Sequence, residues 1–232
     1  MRHEGIAARE GCGVLLDTDG KLLFIGDSIT DCGRRQPVGE GRDALGNGYV
    51  SLLAAALTAW APQRKIRVVN VGTGGNTVRD LRARWQRDVL DQRPDWLSVM
   101  IGINDVWRHF DQPLLPDSHV GIEEYEASLR DLVSAARPHV RGLVLMTPYY
   151  LEPQRADPMR AMMDRYGAVV KRLAAEQHAI CVDTQAAFDA VLQHLYPGVL
   201  AGDRVHPNMA GHMVLARTFL DAVGFDWAAG RT

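Results

Sequence analysis

Cysteine is scarce in this chain, and its few occurrences do not pair by spacing. Cys12, Cys32 and Cys181 are the three in 232 residues. An odd count without a C-x-x-C pair argues against a disulfide framework and against a zinc knuckle. Long apolar runs are also lacking. The longest reach about eight residues, whereas a helix needs ~20 to cross a bilayer, so no membrane partner is expected. Neither charge sign dominates, with 26 Lys+Arg against 28 Asp+Glu and a net charge of −2. No basic stripe stands out, which speaks against nucleic acid as a partner. Residues 1–12 carry His3, Glu4, Arg9 and Glu10 without an apolar stretch, so they do not read as a secretion signal, and a cytoplasmic protein is expected. Phosphate-cradling motifs are missing too. Gly72–Gly75 has no Walker lysine, no G-x-G-x-x-G follows a strand, and no metal-ligand cluster is evident, so no cofactor is expected.

What is present is an alternation of two patterns. Short, β-rich and continuously apolar runs at 22–26, 66–71, 96–101, 143–146 and 179–183 read as strands covered on both faces. Amphipathic stretches at 49–60, 78–90, 122–137, 159–177, 184–195 and 208–223 separate or follow them and read as helices. Asp157-Pro158 supplies a capping residue and a first-turn proline, and Gly224 is placed to end the last helix. The alternation predicts a three-layer α/β/α sandwich on a parallel sheet. A chain of this length makes one domain that buries roughly 70–75% of its unfolded surface. That domain is expected over 21–232, with 1–20 as an extension packed on it and a small hairpin strand at 14–17. Loops at 31–47, 107–120 and 149–158 would leave the carboxyl edge of the sheet, where sites in such folds lie.

Three segments carry chemistry. Ser28, in Gly26-Asp27-Ser28-Ile29-Thr30, follows the first strand and would open a helical turn at the sheet edge. Alone it reads equally well as a helix cap, and Thr30 stands where a nucleophile elbow would have its second glycine. Asp203 precedes His206 by three residues in Asp203-Arg204-Val205-His206-Pro207. In a turn, that spacing lets the carboxylate accept the imidazole Nδ1–H and leaves Nε2 as a base facing Ser28. His212 lies in the last helix with neither an orienter beside it nor metal-ligand spacing. His3, His109, His119, His139, His178 and His194 have no comparable neighbourhood.

A developing oxyanion needs donors fixed in advance. Candidates are the Ser28 N–H, a backbone N–H in the loop 70–77, and the side-chain amide of Asn104 in Gly102-Ile103-Asn104-Asp105. Together these parts describe an acyl-transfer site. Asp27 reads as a brace for the serine loop and stands with Trp107, Tyr149, Tyr150 and Tyr196 among the candidates for the substrate pocket. Asp105 reads as a cap.

The three segments and the glycine loop resemble the SGNH (GDSL) hydrolase family. The resemblance implies Ser28 as nucleophile, His206 as base, Asp203 as orienter, and Gly75 and Asn104 with the Ser28 N–H as oxyanion donors. Gly75 is chosen because Asn76-Thr77 follows it; Gly74 stands where the family often has serine, which would loosen the loop. It also implies a five-stranded parallel, flavodoxin-like sheet in order 2-1-3-4-5. The stretches FIGDSITDCGR, GNGYV, NTVRDLRARW, MIGINDVWR, LMTPYY, VDTQAAF and DRVHPNMAGHMVLAR cover most of 21–227 and look like intracellular bacterial acetylxylan esterases. That likeness implies a homo-oligomeric serine esterase acting on small acetylated sugars, acetylated xylo-oligosaccharides in particular. The rivals are a lysophospholipase, thioesterase or arylesterase with the same site, and a non-catalytic flavodoxin-like module binding a phosphorylated ligand or a carbohydrate.

Overall fold

The computed structural model describes residues 14–41 and 43–228, and in it the apolar runs lie side by side as one sheet. Its strands are β1 (Lys21–Gly26), β2 (Gly39–Glu40), β3 (Arg67–Asn70), β4 (Trp96–Met100), β5 (Gly142–Met146) and β6 (Ile180–Val182), in the order β2-β3-β1-β4-β5-β6. All neighbours are parallel except β2 and β3. The five parallel strands keep the 2-1-3-4-5 order that the resemblance implies. β2 is an addition to the expected sheet. Its two residues are too short to show a period, and they close the edge antiparallel, with Glu40 paired to Arg67. Every residue of β4 and β5, and all of β1 after Lys21, is buried, as continuous apolarity requires. At the other edge the expectation of burial on both faces fails. β6 has a strand neighbour on one side only, and Cys181 is exposed.

Among the described residues, eight α-helices surround the sheet: α1 (Ser28–Asp31), α2 (Tyr49–Trp60), α3 (Val78–Trp85), α4 (Ile103–Asp111), α5 (Ile122–Ala136), α6 (Pro158–Glu176), α7 (Thr184–Leu192) and α8 (Met209–Ala222). The crossover from β1 runs through α2 to β3; the chain then returns past β1 to β4 through α3. Right-handed crossovers that reverse direction put their helices on opposite faces, which makes three layers and a switch point at the carboxyl end of β1. Ser28 lies there. α2 packs on α8 and α8 on α7, while α3, α5 and α6 pack in series on the other face. No helix among the described residues is long and apolar enough to cross a membrane.

Two local expectations are corrected. The loop expected over 107–120 is helical as far as Asp111, because Ile103, Val106 and Trp107 pack one face of α4 against the core. The segment 14–17 forms no strand. Its Leu15 N–H donates to the Val223 carbonyl at 2.8 Å, a single bond rather than a ladder, and Asp17 accepts from the Trp96 indole at 3.0 Å. Leu16 is buried, whereas 1–13, including Cys12, lies outside the described residues. Caps fall where expected: Asp157 accepts from the Arg160 N–H at 2.9 Å, and Gly224 takes φ +75° after α8.

Candidate active site

The serine turn is built by close approach and buried hydrogen bonds. At Gly26, the last residue of β1, a Cβ would lie 2.3 Å from the Met100 carbonyl oxygen and 2.4 Å from Thr30 Oγ1, so no larger residue fits. Asp27 then caps α1, its carboxylate accepting from the Ile29 N–H at 2.9 Å. It is 1% exposed, and burial pushes its carboxyl up to about 7. The structure thus places Asp27 beneath the serine as a brace and not on an open pocket wall. From the neighbouring strand, Asn70 Nδ2 donates to the Thr30 carbonyl at 2.7 Å and to that of Leu45 at 2.8 Å. Ser28 itself stays half-exposed.

Opposite it, the segment between 200 and α8 brings the base. His206 Nε2 lies 2.9 Å from Ser28 Oγ, although 178 residues separate them. His206 Nδ1 lies 2.7 Å from Asp203 Oδ2, while Asp203 Oδ1 accepts from the N–H groups of Val205 and His206 at 2.9 and 2.8 Å. An ionised carboxylate only accepts, so Nδ1 carries the proton and Nε2 presents its lone pair to the serine hydroxyl. Partial burial would raise the Asp203 carboxyl, but hydrogen bonds from the imidazole and the two N–H groups outweigh it and hold it below the usual range.

The aromatic candidates separate. The Trp107 ring lies 5.8 Å from that of His206, beside the site. Tyr149 is fully buried; its hydroxyl donates to the Val205 carbonyl at 3.1 Å, so it holds the histidine loop from behind and does not line a pocket. Tyr150 is half-buried, its N–H donating to Gln185. Tyr196 is 72% exposed and precedes the turn Pro197–Val199.

Across the serine lie the candidate donors. In the loop after β3, the N–H of Val71 donates to Phe24, that of Gly72 to the Asn70 side chain, and that of Thr73 to Gly26. Gly74 donates to Asp31 at 3.1 Å, Asn76 to Thr73, and Thr77 to Asp80. Gly74 is therefore tied down, not loose. Among the described residues, the Gly75 N–H is the one in this loop left without an acceptor, and Gly75 takes φ +78°, a conformation that favours glycine. Asn104, 3% exposed in the first turn of α4, gives one amide hydrogen to the Asn76 carbonyl at 3.0 Å and keeps the other. Asp105 accepts from the Val78 N–H at 2.9 Å and so ties the start of α3 to α4. Burial raises its carboxyl to about 7, and its second oxygen has no partner.

Sequence reasoning missed two buried supports. Arg84 has its side chain 9% exposed and bonds to Gly26, Val71, Asn76 and Asp88. Its signal is the face it shares with Leu81, Trp85 and Asp88. His212 lies 3.1 Å from Cys32 Sγ and accepts from the Tyr49 N–H at 3.3 Å; burial, with His206 nearby, lowers it to about 4 and keeps it neutral. A crevice of about 260 Å³ between α6 and α7 holds none of the predicted site residues, and Arg160 within it is bound to Asp164, Asp189 and the Glu152 carbonyl. Among the described residues no group of His, Cys, Asp or Glu is placed to hold a metal ion.

A parallel α/β/α sheet with a Ser–His–Asp chain at the carboxyl ends of its strands defines a serine hydrolase. The profile of the GDSL-like Lipase/Acylhydrolase family matches residues 24–214, and the chain belongs to that family. It is 59% identical over 212 residues to the acetylxylan esterase of Geobacillus stearothermophilus, covering 91% of this chain and 97% of that protein. The crystal structure of that esterase superimposes with a TM-score of 0.92 at 58% identity, over 93% of this chain and 99% of the other. Variants of the esterase in which a serine, an aspartate or a histidine is replaced by alanine are described as catalytic mutants. An α/β hydrolase enzyme from the metagenome of Lake Arreo, Spain, superimposes with a TM-score of 0.90 at 53% identity, over 91% and 98% of the two chains.

Proposed function

We propose that the protein is a serine esterase that removes acetyl groups from small acetylated carbohydrates, acetylated xylo-oligosaccharides foremost. The observation that carries this reading is the continuous chain from Ser28 Oγ through His206 to Asp203, 2.9 Å and 2.7 Å in its two links. Ser28 attacks the acetyl carbonyl while His206 Nε2 takes its proton, and Asp203 holds the ring and stabilises the imidazolium. The N–H groups of Ser28 and Gly75 and the free amide hydrogen of Asn104 receive the oxyanion. Collapse of the tetrahedral intermediate expels the sugar alkoxide, which His206 protonates, and leaves an acetyl-enzyme. Water then attacks that ester with His206 again as base, releasing acetate.

The catalytic domain in this reading spans 21–232, with 1–20 as its extension. It works in the cytoplasm, where the free thiols of Cys32 and Cys181 persist, and as a homo-oligomer; exposed apolar side chains such as Leu114 and Met209 are natural contact points. The test is release of acetate from acetylated xylo-oligosaccharides, alongside p-nitrophenyl acetate and octanoate. Acetate release with preference for the short ester is expected. Preference for octanoate would point to a lipase or thioesterase, and failure of a serine-reactive phosphonate to label the protein would point to a binding module.

A further inference from the structure

The stretch 71–90 after β3 carries four arginines, Arg79, Arg82, Arg84 and Arg87, and three of them serve the surface. Arg79 pairs with Glu124, Arg82 lies near Asp131, and the Arg87 side chain is 75% exposed. Arg84 turns inward. Its Nε donates to Asn76 Oδ1 at 2.7 Å, its Nη1 to the Val71 carbonyl at 2.6 Å and to Asp88 at 2.9 Å, and its Nη2 to the Gly26 carbonyl at 2.9 Å. Asp88 balances its charge: burial would raise that carboxyl, but hydrogen bonds from Arg87 and Arg84 outweigh it and keep it below the usual range.

The acceptors are not scattered. Gly26 lies two residues before Ser28. Asn76 directly follows Gly75, and its own carbonyl accepts from Asn104 at 3.0 Å. One planar guanidinium therefore grips the chain beside two of the three groups assigned to the oxyanion, the Ser28 and Gly75 N–H groups, and is linked to the third, Asn104, through Asn76. We propose that Arg84 is a positioning residue for the oxyanion hole, acting through Asn76 to set the Gly75 N–H and the Asn104 amide against the Ser28 turn. The inference rests on the reading of Asn104 and Gly75 as donors. Its physical basis is the rigid fork: guanidinium N–H groups diverge in a plane, whereas a lysine offers its donors from one point and cannot span these acceptors. Oxyanion donors act only within a few tenths of an ångström of their required distance, so the framework that spaces them bears directly on rate.

The test uses the full chain and an acetyl ester, with kcat and KM for Arg84→Lys, Asn76→Ala, Asn104→Ala and the two double variants with Asn104→Ala. Arg84→Lys is expected to lower kcat about 10–100-fold with KM within about twofold, because misplacement is felt in the transition state. The midpoint of the acid limb of the pH profile should not move, since the His206–Asp203 pair is untouched. Asn76→Ala, on a half-exposed loop, keeps the fold and is expected to lose about tenfold in kcat, so the question survives if Arg84→Lys fails to fold. Each double variant should lose at least about fivefold less than the product of its single losses, since both substitutions disable the same donor. Losses that multiply, that fall on KM alone, or that shift the acid limb would overturn the positioning role. A normal kcat in Asn104→Ala would instead overturn the donor assignment and this inference with it.

Discussion

The hydroxyl of Ser28 and the imidazole of His206 meet at 2.9 Å, but opposite kinds of structure hold them. The serine turn is fixed from a distance in sequence: Asn70 and Tyr49 bond to Thr30, Arg84 grips Gly26, and the Asp27 brace is almost wholly buried. The histidine turn carries much of its support within itself. Asp203 makes three hydrogen bonds within four residues, to two N–H groups and one ring, and its side chain is 43% exposed. From behind, the Tyr149 hydroxyl and the Leu151 N–H donate to the carbonyls of Val205 and Arg204, and Arg204 pairs with Glu152. A nucleophile set in the core can be rigid because many buried bonds over-determine it. A base on a self-bonded turn needs its own carboxylate for both shape and chemistry.

Ser28→Ala presses this contrast hardest. It should lower kcat on the order of 10⁶ while leaving the melting temperature close to the parent value, because the turn does not depend on that hydroxyl. Substantial turnover, or a large loss of stability, would break the distinction. Asp203→Asn should lower kcat by about 10⁴, since an amide turned toward Nδ1 donates where an acceptor is needed and reverses the tautomer. A rate within tenfold of the parent would mean that the ring is oriented by something else. The smallest effect is one of stability alone. Asp105 titrates near 7 in the fold because of burial, so between the ordinary carboxylate range and about 7 the folded state holds a proton that the unfolded state has lost. Stability therefore falls as pH rises through that window. Asp105→Asn should flatten the fall by up to one proton's worth, about 1.4 kcal/mol per pH unit, read from denaturant melts. An unchanged slope would show that the carboxyl is ionised in the fold.

The same contrast explains what the sequence revealed. Asp203-x-x-His206 was legible because its bonds span three residues. The central strands were legible because burial on both faces writes an unbroken apolar run, as in 22–26 and 143–146. β2 was not, since two residues carry no period, nor was the helical start of 107–120, where Arg108, His109 and Asp111 mask the apolar face of Ile103, Val106 and Trp107. The segment 14–17 has strand composition without a strand partner. Arg84 was hidden among outward-facing arginines, and only packing turns it inward. Tyr149 reads as a pocket residue because it is aromatic, and Asp27 as both a brace and a pocket candidate; burial makes both of them struts.

The strand register has one more consequence. Ser28 follows the middle strand, Gly75 follows β3 on one side and Asn104 follows β4 on the other, with Phe24 opposite Asn70 and Gly26 opposite Met100. The sheet thus works as a ruler, one residue being about 3.3 Å. An insertion in a surface connection such as 112–121 leaves this spacing unchanged. A single-residue slip of β3 or β4 would carry a donor a full ångström-scale step out of range, so variation in this chain has room at its rims and almost none along its three central strands.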